Sequence, residues 1–214
     1  MTENALSPGT VAIPRHWSST FLNNESLSSV KTYLNADKSF VTIFTPRIGV
    51  EGPKAHSHGG FLATILDETM GSSCWYNGLP VLAANLTVRY RKSVPLDGEY
   101  TCTAKIDRLE TRRAMVSARI ARGETVYCEA TGVFVRVPIE LLKQQPDMAR
   151  MVEIVESIKE GRSIESLIEL DKTRRRWAFA EKPANNDGDR VTWNTLRARA
   201  ETLAADFWKL VTSG

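Results

Sequence analysis

The sequence predicts an α+β domain in which an antiparallel sheet curls around one long helix. Residues 59 to about 75 are apolar around most of a helix's circumference, and such a helix lies inside a protein. Four β-rich runs follow in succession, at 82–92, 98–110, 113–122 and 125–137. The short breaks between them are typical of antiparallel strands, so we expect the sheet to enclose the helix.

The residues before this helix predict less regular structure. Residues 1–20 are rich in Ser, Thr and Pro without periodicity, which predicts an arm that is ordered only where something holds it. Apolar residues at spacings of three and four predict a short helix over 24–34. The run SFVTIFTP at 39–46 alternates and ends at a proline, which predicts a strand.

Beyond Pro138 the composition becomes charged and helical. The chain is therefore predicted to comprise an N-terminal arm and short helix (1–37), a central domain (38–137) and a C-terminal helical extension (138–214). Within the extension, residues 191–211 could form an amphipathic helix that docks on the domain or on a partner subunit. Membrane association is the less favoured use of that helix.

Composition excludes several functional classes. The 214 residues are 42% hydrophobic and carry a formal net charge of +3, which fits a soluble globular protein and is too small a charge to indicate nucleic-acid binding. No apolar run approaches the ~18 to 20 residues of a membrane span, and the N-terminus lacks a secretory signal, so we expect a cytoplasmic location. The three cysteines, Cys74, Cys102 and Cys128, are predicted to be reduced and to lie in the core.

The stretch HSHGGFLATILDETMG, residues 56–71, carries the chemistry. Gly59 and Gly60 at the start of a helix leave backbone N–H groups unpaired and let a ligand approach closely. The partial positive charge there suits a carbonyl oxygen that becomes negative in a transition state. The alternative is that the two glycines only permit a tight turn.

Asp67 lies within this apolar helix, where a carboxylate loses hydration. If it faces a cleft, it can attack a carbonyl carbon as a nucleophile or draw a proton from water as a general base. If it shares a polar stripe with Thr64 and Gly71, it faces solvent. Glu68 is the alternative acid, and it projects about 100° around the helix from Asp67.

Spacing along the helix predicts an assembly. Gly59 and Asp67 are eight residues apart, or about 12 Å along a helix axis, so they cannot act on one carbonyl from the same chain. Two copies of the helix running antiparallel across a two-fold axis would bring Gly59 of one chain near Asp67 of the other. We therefore expect a homodimer with shared sites, and a tetramer is left open.

His58, the glycine pair and the acid at Asp67, together with NLTVRYRKSVP at 85–95, resemble the PaaI-like family of acyl-CoA thioesterases, which includes the THEM-type enzymes. The resemblance covers about residues 38–137. It implies the hotdog fold, a dimer, a thioester substrate and the use of Asp67 rather than Glu68. It also implies a supporting role for His58, and a weaker one for His56.

The strand after the helix is predicted to help bind substrate. Arg89 and Arg91 could pair with the phosphates of coenzyme A, and alternation sends them to the face opposite Tyr90. Some relatives have a Ser or Thr near the start of this strand to hold the attacking water, whereas here the sequence is Leu-Ala-Ala-Asn at 82–85. Asn85 is the polar residue that could replace it.

The sequence thus predicts an enzyme that hydrolyses an acyl-CoA, or a related acyl thioester, to the free acid and thiol. No cofactor is expected, and no cluster of His, Cys and carboxylates resembles a metal site. A non-hydrolytic acyl-binding module is one alternative, supported by Ala83 and the helical tail. A hotdog dehydratase or hydratase is another, although its usual Gly-Asp-x-Asn-Pro segment is absent.

Overall fold

The computed structural model describes residues 5–145 and 148–180, with side chains up to residue 175. Two compact units divide the chain, Met1–Leu170 and Asp171–Gly214. The sheet and the long helix both lie in the first unit. The sheet and the long helix therefore belong to one compact unit.

Seven strands form one sheet in the order β1-β2-β3-β5-β6-β7-β4, and every neighbouring pair is antiparallel. The predicted α+β arrangement, a sheet wrapped around a long helix, is confirmed, and β4 lies at one edge of the sheet. The strands are β1 Val11–Ile13, β2 Ser28–Leu34, β3 Phe40–Pro46, β4 Val81–Tyr90, β5 Tyr100–Leu109, β6 Arg113–Arg122 and β7 Thr125–Arg136.

Helix α1, Gly59–Trp75, packs against β3, β4, β5, β6 and β7. Its bounds match the prediction from sequence. Ile65, Leu66 and Met70 have no exposed side-chain surface, since the sheet covers most of the helix. Burial of a large aliphatic side chain contributes about 1.5 to 3 kcal/mol, so this helix provides much of the stability of the core.

The predicted helix over 24–34 is wrong, because residues 28–34 form strand β2. Val30 lies opposite Phe44 and Thr32 opposite Thr42 in an unbroken antiparallel ladder with β3. A single helical turn or two is costly to nucleate, whereas β-branched residues pack well on a pleated surface. The ladder with β3 therefore decided the conformation of a segment whose apolar spacing fits either structure.

The N-terminal arm is held in place by aromatic packing. Trp17 is only 5% exposed and its ring stacks on Tyr76 at 6.4 Å between centroids. Tyr76 in turn stacks on Phe40 at 5.3 Å and donates a hydrogen bond to the Trp17 carbonyl oxygen. A segment without periodicity is thus ordered by contacts with β3 and the end of α1.

Three helices follow the sheet: α2 Ile139–Lys143, α3 Ala149–Lys159 and α4 Ile164–Ala180. They confirm the predicted helical extension as far as residue 180. Ile154 and Leu167 join Trp17 and Tyr76 in a second hydrophobic cluster, so the first unit includes part of this extension. The amphipathic segment predicted at 191–211 lies outside the described residues.

All three cysteines are buried and unpaired, as predicted. Burial raises the pKa of the Cys74 and Cys102 thiols to about 12 and that of Cys128 to about 11. The thiolate is the nucleophilic form of cysteine. These side chains are therefore core residues rather than nucleophiles at neutral pH.

Within residues 5–145 and 148–180, no helix has both the length and the apolar character needed to span a bilayer.

We expect Trp17→Ala to destabilise the protein by about 3 to 5 kcal/mol, because it leaves a cavity beside Tyr76 and releases the arm. Chemical denaturation followed by circular dichroism measures the change. Ile48→Ala is the matched control, since Ile48 is 73% exposed and its loss should change the free energy of unfolding by less than about 0.5 kcal/mol. Equal effects of the two substitutions would contradict the packing role of Trp17.

Candidate active site

The start of α1 is capped by a histidine. His58 occupies the N-cap position in an extended conformation, and its Nδ1 accepts a hydrogen bond of 3.0 Å from the Gly60 N–H. A ring that accepts at Nδ1 in its neutral form carries its proton on Nε2. His58 therefore caps the helix through Nδ1, which leaves Nε2 as the ring nitrogen that is not used in the cap.

Gly59 and Gly60 differ in what their N–H groups do. The Gly60 N–H, expected to be unpaired, is bound to His58, which corrects the sequence-based expectation for that residue. Across residues 5–145 and 148–180, no acceptor pairs with the Gly59 N–H. A side chain at Gly60 would place its Cβ 3.0 Å from His58 Nδ1, so glycine there makes room for the cap.

Tyr90, at the end of β4, fixes the position of Gly59. Its hydroxyl donates a hydrogen bond of 2.8 Å to the Gly59 carbonyl oxygen. A Cβ at Gly59 would lie 3.4 Å from the Tyr90 ring. The helix start is therefore held by a side chain from the edge strand, with its free N–H on a backbone that cannot easily shift.

Asp67 lies at a cleft between α1 and the edge strand β4. The cleft has a volume of about 330 Å³ and is lined on the helix side by Ala63, Thr64 and Asp67. Residues 83–86 of β4 form the other wall. Of the two environments considered for Asp67, the cleft is the one observed.

The Asp67 carboxylate is incompletely satisfied. Its Oδ1 is buried and has no hydrogen-bond partner among the described residues. Burial raises the pKa of Asp67 above its usual range, since desolvation disfavours the charged form. A carboxylate with a raised pKa in a cleft has the property that base chemistry near neutral pH requires.

Glu68 faces a different part of the molecule. Burial raises its pKa, a hydrogen bond with the Ser19 side chain lowers it, and the charge of Asp67 raises it. Ser19 belongs to the N-terminal arm. Glu68 is therefore tied to a segment that the cleft does not include.

The wall formed by β4 contains few polar groups. Ala83 and Ala84 lie at a bulge in the pairing with β7, and neither can hold a water through its side chain. Asn85 lines the cleft as well, but its Oδ1 lies 3.5 Å from the Thr87 hydroxyl. The predicted polar replacement for the Ser or Thr of some relatives is thus present at the cleft.

The remaining predicted residues do not reach this cleft within one chain. His56 borders a separate cavity with Pro95 and Leu96, and its Nδ1 lies 2.8 Å from the Lys54 carbonyl oxygen. Arg89 and Arg91 project from the face of β4 opposite Tyr90, as strand alternation predicts. Arg91 is paired there with Glu129 at 2.6 Å.

Within the part of the chain that the structure describes, no group of three or more His, Cys, Asp or Glu side chains is arranged to hold a metal ion.

Comparison with known proteins identifies the segment that carries this site. Residues 55–129 match the family model of the thioesterase superfamily. This segment of the chain is similar to the thioesterase superfamily. It includes α1, the edge strand and the cleft between them, so the resemblance to this family predicted from the sequence is confirmed.

Curated proteins similar to this chain have names that agree with this match. The chain is 33% identical over 107 residues to the acyl-coenzyme A thioesterase THEM4 of Xenopus laevis, a match that covers 49% of this chain and 48% of that protein. It is 30% identical over 105 residues to the acyl-coenzyme A thioesterase THEM5 of Homo sapiens, covering 48% and 42%. The chain thus spans about half the length of these relatives.

A solved structure supports the fold. A conserved protein from Pseudomonas aeruginosa superposes with a TM-score of 0.51 at 18% identity, covering 58% of this chain and all of that protein. At this identity the likeness concerns the fold. The hotdog arrangement predicted from the sequence is confirmed.

Sequence reasoning missed three features of this region. It did not find that Tyr90 bonds to the backbone of Gly59, that Ala63 lines the cleft beside Thr64 and Asp67, or that Ser19 bonds to Glu68. The first and third join residues about 30 and 50 positions apart, which no local pattern reports. The second could have been found, because Ala63 and Asp67 are four residues apart on one helix face.

We expect Asp67→Asn to raise the melting temperature of the protein at pH 7. A carboxyl group whose pKa is raised on folding stabilises the protein fully below its ordinary pKa, and loses that contribution as the pH rises through the raised value. The gain from substitution should therefore shrink as the pH falls below about 4. Melting curves between pH 3 and 8 measure it.

Asp97→Asn is the matched control, because the Asp97 side chain is 80% exposed. A melting-temperature gain for Asp67→Asn that persists undiminished at pH 3 would show that the carboxylate is not destabilised by burial.

Proposed function

We propose that the protein hydrolyses an acyl-CoA, or a related acyl thioester, to the free acid and thiol. The observation that carries this proposal is the cleft at Asp67, whose carboxylate has a raised pKa and an unpaired Oδ1. The names of the curated relatives support the substrate class. The carboxylate of Asp67 is proposed to act in catalysis, either as the nucleophile or as the general base.

The chemistry balances by either route. As a general base, Asp67 takes a proton from water while the water oxygen bonds to the thioester carbonyl carbon; the C–S bond then breaks and the sulfur takes up that proton. As a nucleophile, an Asp67 oxygen bonds to the carbon, the thiol leaves with a proton from water, and hydroxide cleaves the mixed anhydride. Both routes place negative charge on the carbonyl oxygen.

We propose the Gly59 N–H as the donor to that oxygen. It lies at the positive end of α1, and no described residue accepts its hydrogen bond. A preorganised donor of this kind typically contributes 10²- to 10³-fold in rate. Gly60 contributes through His58, whose cap requires a residue without a side chain, and the Nε2–H of His58 is a second donor to substrate.

Gly59 and Asp67 lie about 12 Å apart along α1, so we propose that each site combines two chains of a homodimer. With the two helices antiparallel across a two-fold axis, the donor end of one faces the carboxylate of the other. The second chain would also cover the open cleft and exclude bulk water from the surroundings of Asp67 Oδ1.

The edge strand supports this assembly. β4 has ten residues and pairs only with β7 among the described strands, which leaves a row of backbone groups on its other side unpaired. Leu82 and Tyr90 are 42% and 51% exposed on it. A long exposed edge strand is a template for pairing with another chain, and a second copy would bring another α1 close to the first.

The other predicted contacts remain proposals. Tyr90 is proposed to position Gly59, and Asn85 to hold water or substrate at the cleft wall. Roles for His56, Glu68, Arg89 and Arg91 in binding substrate stay predictions, as does a cytoplasmic location. A non-hydrolytic acyl-binding module is the alternative that the two alanines of β4 favour, since they offer no hydroxyl to the attacking water.

We expect Asp67→Asn to lower kcat by about 10²- to 10⁴-fold on acyl-CoA substrates, because it removes the group that transfers the proton or attacks the carbon. Release of free thiol across a panel of aliphatic and aromatic acyl-CoAs measures it. Glu68→Gln is the matched control and should keep kcat within about tenfold, since its carboxylate bonds to Ser19.

Loss of turnover in Glu68→Gln with retention in Asp67→Asn would overturn the assignment. Tight acyl-CoA binding without thiol release by the unaltered protein would favour the binding module instead.

Gly59→Pro tests the donor and the shared site together. Proline at the first helical position removes one N–H and keeps the helix, and His58 already has the extended ψ of 138° that a residue before proline adopts. We expect a loss of about 10²-fold in kcat. Gly59→Ala keeps the N–H and makes the same contact with Tyr90, so it is the matched control.

Co-expression of the Gly59→Pro and Asp67→Asn chains should restore about a quarter of the activity, because half of the dimers are mixed and each mixed dimer holds one intact site of two. No recovery, although native mass spectrometry finds mixed dimers, would show that each chain has a complete site of its own.

A further inference from the structure

The outer face of the sheet, opposite α1, contains a second cavity of about 630 Å³. We call it the outer trough. It is bordered by three cations from three strands, Arg89 of β4, Lys105 of β5 and Arg119 of β6. Its volume lies within the range of small-molecule sites, and Ala118 and Ala130 also border it, although both belong to the hydrophobic core on the other side of the sheet.

Strand register brings the trough's polar groups into line. Arg119 lies directly opposite Glu129 on one side and Thr103 on the other, and Glu129 lies opposite Arg89. This first row thus crosses four strands with a cation at β4 and another at β6.

A second row lies two residues along the strands. Ser117 lies opposite Thr131 on β7 and Lys105 on β5, and Thr131 lies opposite Thr87. The hydroxyl groups of Ser117, Thr131 and Thr87 therefore lie in this row beside Lys105. Hydroxyls that can donate or accept suit the oxygens of a bound anion.

The cations are not neutralised within the trough. The carboxylate of Glu129 is engaged by Arg91, at 2.7 Å from Nε and 2.6 Å from Nη2. Lys105 lies 3.8 Å from Asp107, which also accepts a hydrogen bond from Ser117. Over residues 5–145 and 148–175, Arg89 and Arg119 have no acidic partner.

The charge at the trough is +2, because four cations stand against two carboxylates. The cations are Arg89, Arg91, Lys105 and Arg119, and the carboxylates are Asp107 and Glu129. The acids Asp37 and Glu124 border a neighbouring cavity on the far side of Arg119. These two acids end the positively charged surface beyond Arg119. A positive surface of limited length favours a compact anion over an extended polyanion such as nucleic acid.

We propose that the outer trough binds a small molecule that carries two or more phosphate groups. The Cα atoms of Arg89 and Arg119 are two strands apart, about 10 Å, and Lys105 lies one strand over and two residues along from Arg119, about 8 Å. Long side chains on such a triangle can converge on linked phosphates, and guanidinium groups match phosphate oxygens in pairs. Among the described residues, no aromatic side chain lines the trough, so the proposed recognition rests on the phosphates rather than on a stacked base.

This site is distinct from the cleft at Asp67, because the sheet separates the two. The residues of β4 show the separation: Tyr90 reaches Gly59 on the inner face, while Thr87 and Arg89 line the outer face. Binding in the trough therefore does not depend on the hydrolytic proposal, and it assigns Arg89 to this site instead of to the phosphates of a substrate in the cleft of the same chain.

Isothermal titration with inorganic pyrophosphate at low ionic strength tests the proposal, on the full chain. We expect saturable binding that weakens at least tenfold in Arg119→Gln and in Lys105→Gln, and that falls as salt is added. Arg108→Gln is the matched control and should change the affinity less than twofold, since Arg108 is paired with Glu110. Asp67→Asn should also leave the affinity unchanged.

Three results would overturn the proposal. One is the absence of saturable binding at millimolar pyrophosphate, and another is an equal loss of affinity in Arg108→Gln and Arg119→Gln. The third is a fall in particle mass on Arg119→Glu, measured by light scattering, because it would assign this face to contact between copies of the chain. Melting curves of each variant establish that the fold is retained in every comparison.

Discussion

Packing of α1 against the inner face of the sheet is the constraint on which the other features depend. The helix buries Ile65, Leu66 and Met70 completely, so its direction and rotation are fixed by the core. That rotation carries Asp67 to the rim, beside the edge strand, where one carboxylate oxygen is buried without a partner. The core therefore sets the position of a group whose own burial is unfavourable.

The same packing separates the two halves of the proposed chemistry. A rigid helix holds the free N–H of Gly59 and the carboxylate of Asp67 at a fixed distance of about 12 Å, and neither can move toward the other without disrupting the core. Tyr90 and His58 both hold the helix start, one through the Gly59 carbonyl oxygen and one through the Gly60 N–H. We therefore propose that a second chain, rather than motion within one chain, completes this site.

Strand alternation places apolar side chains on one face of the sheet and charged side chains on the other. The inner face is apolar and covers α1, whereas the outer face gathers arginine, lysine and hydroxyl side chains in register across four strands. The edge strand β4 contributes to both, because successive residues point in opposite directions. One strand thus borders the cleft at Asp67 and the outer trough.

The sequence by itself determined the long buried helix, the four strands after it and the motif at residues 58–67, since each depends on periodicity or on neighbours a few positions apart. Tertiary structure decided β2, whose apolar spacing fits helix or strand until β3 pairs with it. It also decided which acid faces the cleft and which glycine N–H is free. Those outcomes depend on contacts with Ser19, His58 and β4, and contacts between distant segments leave no periodic trace in the chain.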